Sequence, residues 1–341
     1  MVKRVTREDV AKKAGVSVAA VSRALNNSGY IKKEKKEYII EIATQMGYNP
    51  NPIATSLQMQ RTRQIMVFIS DLTGAFHIQM FHGIVRAAQK RNYRVLLDMQ
   101  CDYEKVKQFL VDGIIFPNEV IAEKYARDIG RTYHLPTVTI SYDPAAVFTK
   151  PMPCVLLDDR EVINRAIDYL KKMGHRRIGI AVPFMANYAK KRYCYWKERM
   201  EQEQVSGFEE YAVNAAGYPV EETGLKEDYQ TMFGDFVYYD LFEKGRIAAS
   251  MYAEADCKAT AMICYNDDMA HGMIQELEKR GIHVPEQVSI MGIDGTYIRS
   301  HFPNRLTSVT NYPDQMGANC VNVLLDILED KPYKYINWGR I

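Results

Sequence analysis

Apolar residues in the first 48 positions recur at helical spacing, whereas from Ile65 onward short apolar runs alternate with helical stretches. In the head, Val10, Ala11 and Ala14 share one face of a short helix. Thr6 and Asp9, three residues apart, predict a capping box at its start, and Gly15 is placed to end it in the left-handed conformation. Ser17 is placed to cap a second helix, Val18 to Leu25, with Val21 and Leu25 facing inward. A third helix, about Lys33 to Met46, offers Ile39, Ile40, Ile42, Ala43 and Met46 to a small core. Two short helices joined through A-G-V-S form a helix-turn-helix pattern with Ala11, Gly15 and Val21 at its key positions. On pattern alone a generic three-helix bundle remains the alternative.

Beyond the head, IMVFIS (65–70), YRVLLDM (93–99), GIIF (113–116) and TVTIS (137–141) read as strands with helical patterns between them. A second set follows in RIGIAV (177–182), TAMIC (260–264) and VSIMG (288–292). Alternating strand and helix predicts parallel sheets covered on both faces. Two such sets predict an α/β core of two lobes, with ligands at the carboxyl ends of strands in the cleft between them. The stretch QCDYEKVKQFLV between the second and third strands predicts a truncated helix, and 197–240 is long and rich in Tyr and Glu.

Charge sharpens this division. Residues 1–63 carry 12 basic and 5 acidic groups, a net of +7, while 64–341 carry 32 and 37, a net of −5. A basic head on an acidic body points the head at a polyanion. Six scattered cysteines (101, 154, 194, 257, 264, 320) form no C-x-x-C pair, which argues for reduced thiols over a zinc site or a disulfide framework. His77 and His82, five apart, do not make a helical metal pair, so no metal and no cofactor are expected. MVKRVTREDV lacks an apolar signal core, and no run approaches the roughly 18 apolar residues of a membrane span. A cytoplasmic location and no membrane partner are therefore expected. No phosphate loop, dinucleotide fingerprint or nucleophile elbow occurs. Asp158-Asp159 and Asp267-Asp268 are sequence neighbours whose side chains diverge, so neither pair predicts a catalytic dyad, and no enzyme is expected.

The stretches VTREDVAKKAGVSVAAVSRALNNSGYI and ATQMGYNPNPIATSL closely resemble the head of the LacI/GalR family of bacterial transcription regulators. YLKKMGHRRIGI, TAMICYNDDMAHG, VPEQVSIMGIDG and LTSVTNY extend the resemblance over nearly the whole chain. It implies a helix-turn-helix domain at 1–48, a hinge at 49–62 and a two-lobed, periplasmic-binding-protein-like core at 63–341. By the same resemblance the chain crosses between lobes near 158–161, 291–294 and 320–324. Lobe one is then 64–158 with 294–320, and lobe two 161–291 with 324–341.

The implied function is a sequence-specific repressor of double-stranded operator DNA, controlled by a small ligand such as a sugar. A regulator activated by a corepressor or a partner protein, or more remotely a solute carrier, is the alternative. Val18, Ala19 and Arg23 are implied to face base edges, and Thr6, Ser17, Ser22 and Asn26 to contact phosphates. Implied ligand residues are Phe76, His77, Asp143, Arg192, Phe236, Asn266 and Asp294. The plainer alternatives are a surface charge for Arg192 and capping roles for Asn266 and Asp294. The absence of a terminal leucine heptad favours a homodimer over a tetramer, and two-fold pairing implies a pseudo-palindromic operator.

The hinge NPNPIATSLQMQRT is too short for a helix stable alone in water. The resemblance implies that two copies pair in the minor groove, with Leu57 wedged between base pairs and Ala54 allowing close approach.

Overall fold

Helix α1 (Arg7–Ala14) starts at the expected capping box: the Asp9 amide donates to Thr6 Oγ1 at 3.2 Å and the Thr6 amide to Asp9 Oδ2 at 2.9 Å. It ends at Gly15, whose φ of 64° is the left-handed turn glycine adopts cheaply. Helix α2 (Val18–Asn26) is capped by Ser17, whose Oγ accepts from the Ala20 amide at 3.2 Å. Helix α3 (Lys33–Gln45) has Lys32 at its cap position and no side-chain cap bond. A computed structural model describes residues 5–26, 29–49, 61–69, 72, 74–100, 102–129, 135–142, 152–183, 187–215, 241–297, 306–332 and 336–337. The chain divides into two compact units, Met1–Thr62 and Arg63–Ile341.

Val10, Ala11, Ala14, Ala20, Val21, Ala24, Ile39 and Ala43 form the core of the first unit. Two inward assignments change. In α2 the buried stripe is Ala20, Val21 and Ala24, leaving Leu25 half-buried at its edge. In α3, Ile40 is exposed, because each residue turns the helix by about 100° and carries it off the face that Ile39 and Ala43 share. Small residues dominate the crossings, so three short helices reach one another closely enough to exclude water.

The second unit holds two all-parallel sheets. The first contains β1 (Gln64–Phe68), β2 (Arg94–Asp98), β3 (Gly113–Phe116), β4 (Thr137–Ser141), β5 (Cys154–Leu156) and β11 (Ile336–Asn337), in the order β11-β5-β4-β3-β1-β2. The second contains β6 (Ile178–Val182), β7 (Ala212–Asn214), β8 (Ala261–Cys264), β9 (Ser289–Asp294) and β10 (Thr307–Thr310), in the order β10-β9-β8-β6-β7. Strand β1 is apolar at consecutive positions because both its faces are covered. Ile65 and Val67 pack into one core, Met66 and Phe68 into another on the opposite face. The flanking helices are α4 (Ala75–Lys90), α5 (Glu119–Asp128), α6 (Asp159–Lys172), α7 (Asn187–Gln202), α8 (Leu241–Glu254), α9 (Asp267–Lys279) and α10 (Pro313–Leu328). The expected truncation between β2 and β3 is a short 3-10 helix, Tyr103–Gln108. Among the described residues no helix is long and apolar enough to cross a membrane.

The lobe boundaries differ from expectation. Residues 291–294 lie within β9 and 320–324 within α10, where Cys320, Val321 and Leu324 are buried, so neither is a crossing. Strand β10, expected in lobe one, pairs with β9 in the second sheet, Val309 opposite Ile293 and Thr310 opposite Asp294. The chain then turns at Asn311–Tyr312, and α10 packs against α4 in lobe one. Strand β11, expected in lobe two, pairs with β5, Ile336 opposite Val155. The physical reason is hydrogen bonding: β9 would present an open edge unless the next strand completed it. Among the described residues, lobe one is therefore drawn from 63–157 and 313–337, and lobe two from 159–310.

Candidate functional site

In the head, α2 presents Val18, Ala19, Arg23 and Asn26 to solvent, with Ser22 half-buried. Arg23 Nε donates to the Ala19 carbonyl at 3.3 Å, leaving its terminal nitrogens beyond that bond. Asn26 Nδ2 donates to Ser22 Oγ at 3.3 Å. Ser17 Oγ uses a lone pair on the Ala20 amide, so its O–H remains a donor for an external acceptor. Thr6 Oγ1 donates to Asp9 Oδ2 at 2.9 Å, so its proton is engaged within the cap. Ala54 and Leu57 lie outside the described residues, as do Asp143 and Phe236.

In the body, polar side chains gather where strands end and helices begin. Glu119 opens α5 just after β3, Tyr142 follows β4, Asp159 opens α6, Tyr265 and Asn266 follow β8, and Asp294 ends β9. Arg192 comes from α7 and is buried, not a surface charge. Its Nε and Nη2 lie 3.0 and 2.9 Å from Asp159 Oδ1, Nη1 donates to the Tyr265 carbonyl, and the guanidinium sits 4.6 Å above the Tyr265 ring. Burial opposes the charge on Arg192, but Asp159, Tyr265 and Asp294 outweigh it and hold the guanidinium firmly protonated. Burial pushes Tyr265 up to about 12 and Tyr142 well above the ordinary phenol value, so both act as neutral hydroxyls.

Asp294 is buried at a φ of 105°, a backbone conformation unusual for a residue with a side chain. Asn311 Nδ2 donates to its Oδ1 at 3.1 Å, and burial raises its carboxyl well above the usual range against the pull of Arg192. Behind it, Asp267 accepts from the Thr296 amide at 2.6 Å and the Thr296 hydroxyl at 2.8 Å, and Ser308 Oγ bonds its other oxygen at 2.5 Å. This knot holds Thr296 just after Asp294. Asn266 does cap α9, its Oδ1 accepting from the Met269 amide at 2.9 Å. Phe76 is buried in the lobe-one core, edge-on to His77 with ring centroids 5.4 Å apart. The turn before them adjoins lobe two, since a Cβ on Gly74 would lie 3.7 Å from Asp268 Oδ2.

Arg192, Asn266 and Asp294 thus fall in one neighbourhood of strand ends, while Phe76 belongs mainly to the core. Sequence reasoning missed Glu119, Tyr142, Asp159, Tyr265 and Lys191. Their signal was positional: each lies at a strand end or next to a residue already singled out. Lys191 Nζ reaches Glu119 Oε1 at 3.6 Å, an ion pair that joins the two lobes.

Comparisons with known proteins agree with this layout. Residues 6–51 match the model for bacterial regulatory proteins of the lacI family, and 167–335 that for a periplasmic binding protein-like domain. The HTH-type transcriptional repressor PurR of Vibrio atlanticus (strain LGP32) is 26% identical over 340 residues, covering 96% of this chain and 93% of that protein. Catabolite control protein A of Priestia megaterium is 27% identical, covering 94% and 91%. Among solved structures, the lac repressor dimer bound to operator and the anti-inducer ONPF superposes with a TM-score of 0.75 at 19% identity, covering 98% of this chain and 96% of that one. A LacI family regulator from Enterococcus faecium with bound ribose gives 0.64 at 19% identity, covering 80% and 93%. At such identities the structural likeness carries the fold.

Proposed function

We propose that the chain, whose head matches the lacI family of bacterial regulatory proteins and whose body matches a periplasmic binding protein-like domain, is a DNA-binding transcriptional repressor whose hold on its operator is set by a small ligand bound between two lobes. One observation carries this: a single chain joins a helix-turn-helix head to a body whose buried polar groups converge at strand ends. Neither part alone implies a switch, but together they give a reader and a sensor. The relatives are regulators, and no catalytic role is assigned to any residue.

In this reading Val18, Ala19 and Arg23 face base edges, and Ser17, Ser22 and Asn26 position the head on phosphates, while the implied phosphate contact of Thr6 gives way to its cap, where Asp9 takes both its hydroxyl proton and its amide. Ala54 and Leu57 act at the hinge. Arg192, Asn266 and Asp294 hold the ligand, with Phe76, His77, Asp143 and Phe236 around it; Asp159, Tyr265, Tyr142 and Glu119 join them on the strength of their proximity. Two bodies paired by a two-fold axis would read a pseudo-palindromic site, one half per head. Work on DNA of this kind belongs in the cytoplasm.

The test is selection of bound duplexes from a random DNA pool by the full-length protein. An enriched inverted repeat with fixed half-site spacing is expected. A pool that remains unenriched at low salt would sink the repressor reading.

A further inference from the structure

The body begins at Arg63, whose backbone is left-handed, with a φ of 57°. In a residue with a side chain that conformation crowds Cβ against a carbonyl oxygen, so neighbouring contacts have to hold it. Lobe one supplies them. The Arg63 amide donates to Asp112 Oδ2 at 2.9 Å, and the Arg63 carbonyl accepts from the Arg94 amide at 2.8 Å. Its guanidinium lies 5.1 Å from the centre of the buried Tyr93 ring. Asp112 also grips the next residue, its own amide donating to the Gln64 carbonyl at 2.7 Å.

Where this clamp sits gives it a consequence. At Arg63, φ is the torsion that sets the direction in which Thr62 and the residues before it leave β1. From Gln64 onward the strand is held by the sheet, Gln64 opposite Arg94 and Ile65 opposite both Val95 and Gly113. Arg63 stands immediately before the first of these paired residues. A carboxylate accepts an amide proton more strongly than a neutral oxygen does. Without it, Arg63 is freed toward the right-handed and extended conformations that side chains favour.

We propose that Asp112 is a positioning residue for operator recognition: it holds Arg63 left-handed and so fixes the course by which the connector to the head leaves lobe one. This rests on the paired-head repressor proposed above, and adds the joint through which the body sets half-site spacing. Once one head is bound, a stiff joint presents the second at high effective concentration. A loose joint lowers that concentration and lets the heads reach half-sites at other spacings.

The probes are the duplex that wild-type protein selects, its single half-site, and versions with base pairs added to or removed from the spacer. Each is titrated against full-length protein by fluorescence anisotropy. Asp112→Ala should bind the whole operator about tenfold weaker, a difference of about 1.4 kcal/mol, while keeping its half-site affinity and discriminating less between spacings. Asp112→Asn, whose amide oxygen still accepts from the Arg63 amide, should keep the wild-type spacing preference. Charge alone predicts the opposite sign, since losing an acidic group tightens binding to every duplex, and does so in both variants.

If Asp112→Ala fails to fold, Arg63→Gly decides, because glycine takes either hand of φ freely and should broaden the spacing preference in the same way. An unchanged spacing preference in the deciding variant overturns the inference, as does an equal loss on whole and half sites. Selection by wild-type protein reports separately. If no inverted repeat is enriched, the repressor reading falls and takes this inference with it. An enriched operator that the deciding variant reads as wild type does leaves the repressor standing and removes only the role of Asp112.

Discussion

Arg23 is oriented by the helix that carries it. Its Nε donates to the Ala19 carbonyl one turn back, so the side chain leaves α2 with its two terminal nitrogens forward. An arginine fork of this kind can grip O6 and N7 of a guanine, worth about 1–3 kcal/mol of discrimination, and that is the role proposed for Arg23. Arg23→Ala should therefore relax preference at one base pair of each half-site while the exposed position leaves the head folded. Competition binding with singly substituted operators measures this, and a uniform loss at every position would mark Arg23 as a phosphate contact instead. Arg23 was legible in the sequence because helical period alone puts it on the outer face of α2. Arg192 was legible only through the family resemblance, with a surface charge as the plainer alternative. Its partner Asp159 lies 33 positions away, and no local pattern links an arginine on one helix to the first turn of another. Asn266 shows why two readings of one residue need not compete: its Oδ1 caps α9, and its Nδ2, 3.5 Å from Asp268 Oδ2, remains near the cleft.

Each lobe is closed by one tight helix pair. In lobe one, a Cβ on Gly83 would fall 1.9 Å from the Asp314 carbonyl oxygen, and one on Gly317 2.1 Å from that of Met80. In lobe two, Gly245 and Gly272 stand in the same reciprocal relation, 2.0 Å from the Met269 oxygen and 1.9 Å from that of Phe242. The obstructing atoms are backbone, so they cannot swing aside; α4 and α10 would have to separate. Gly317→Ala should lower body stability by about 1–3 kcal/mol or more, the usual range for overpacking. Gln89→Ala, at an exposed position of α4, should stay within about 0.5 kcal/mol. Urea unfolding followed by tyrosine and tryptophan fluorescence separates the two, and an unchanged midpoint for Gly317→Ala would mean the helices have slack that the geometry denies. Strands β1, β3, β4, β6, β8 and β9 could be found in advance because burial on both faces makes them continuous apolar runs. Strands β5, β7, β10 and β11 have two to four residues and include Cys, Asn, Ser or Thr, too little pattern to separate strand from loop. Missing β10 is what moved the lobe boundary, since a parallel strand is defined by the edge it completes and not by its own composition.

Across the molecule the decisive pattern is charge. The division into a head and a body follows the switch from helical spacing to alternating strands, and the structure separates the units at Thr62 and Arg63. Charge divides at the same place, +7 over residues 1–63 and −5 over the rest. The basic groups of the head are mostly outward: Lys12 and Lys13 at the end of α1, and Lys32, Lys33 and Lys35 where α3 begins, are all exposed. They add little to the three-helix core, so their value lies in what they meet. DNA held by such groups releases condensed counterions, and the observed binding constant then falls with salt by about 0.9 logarithmic units per neutralised phosphate for each decade. A pair of heads making six to ten phosphate contacts should lose about three to five orders of magnitude between 50 and 200 mM salt. Fluorescence anisotropy on the selected operator gives the slope directly. Replacing Lys12 and Lys13 with glutamine should reduce it by up to about two contacts per head without changing which sequence is preferred, because phosphate contacts position and do not specify. A slope near zero on a sequence the protein still prefers would mean that the basic head does not approach the DNA backbone, and would remove the electrostatic half of the repressor reading.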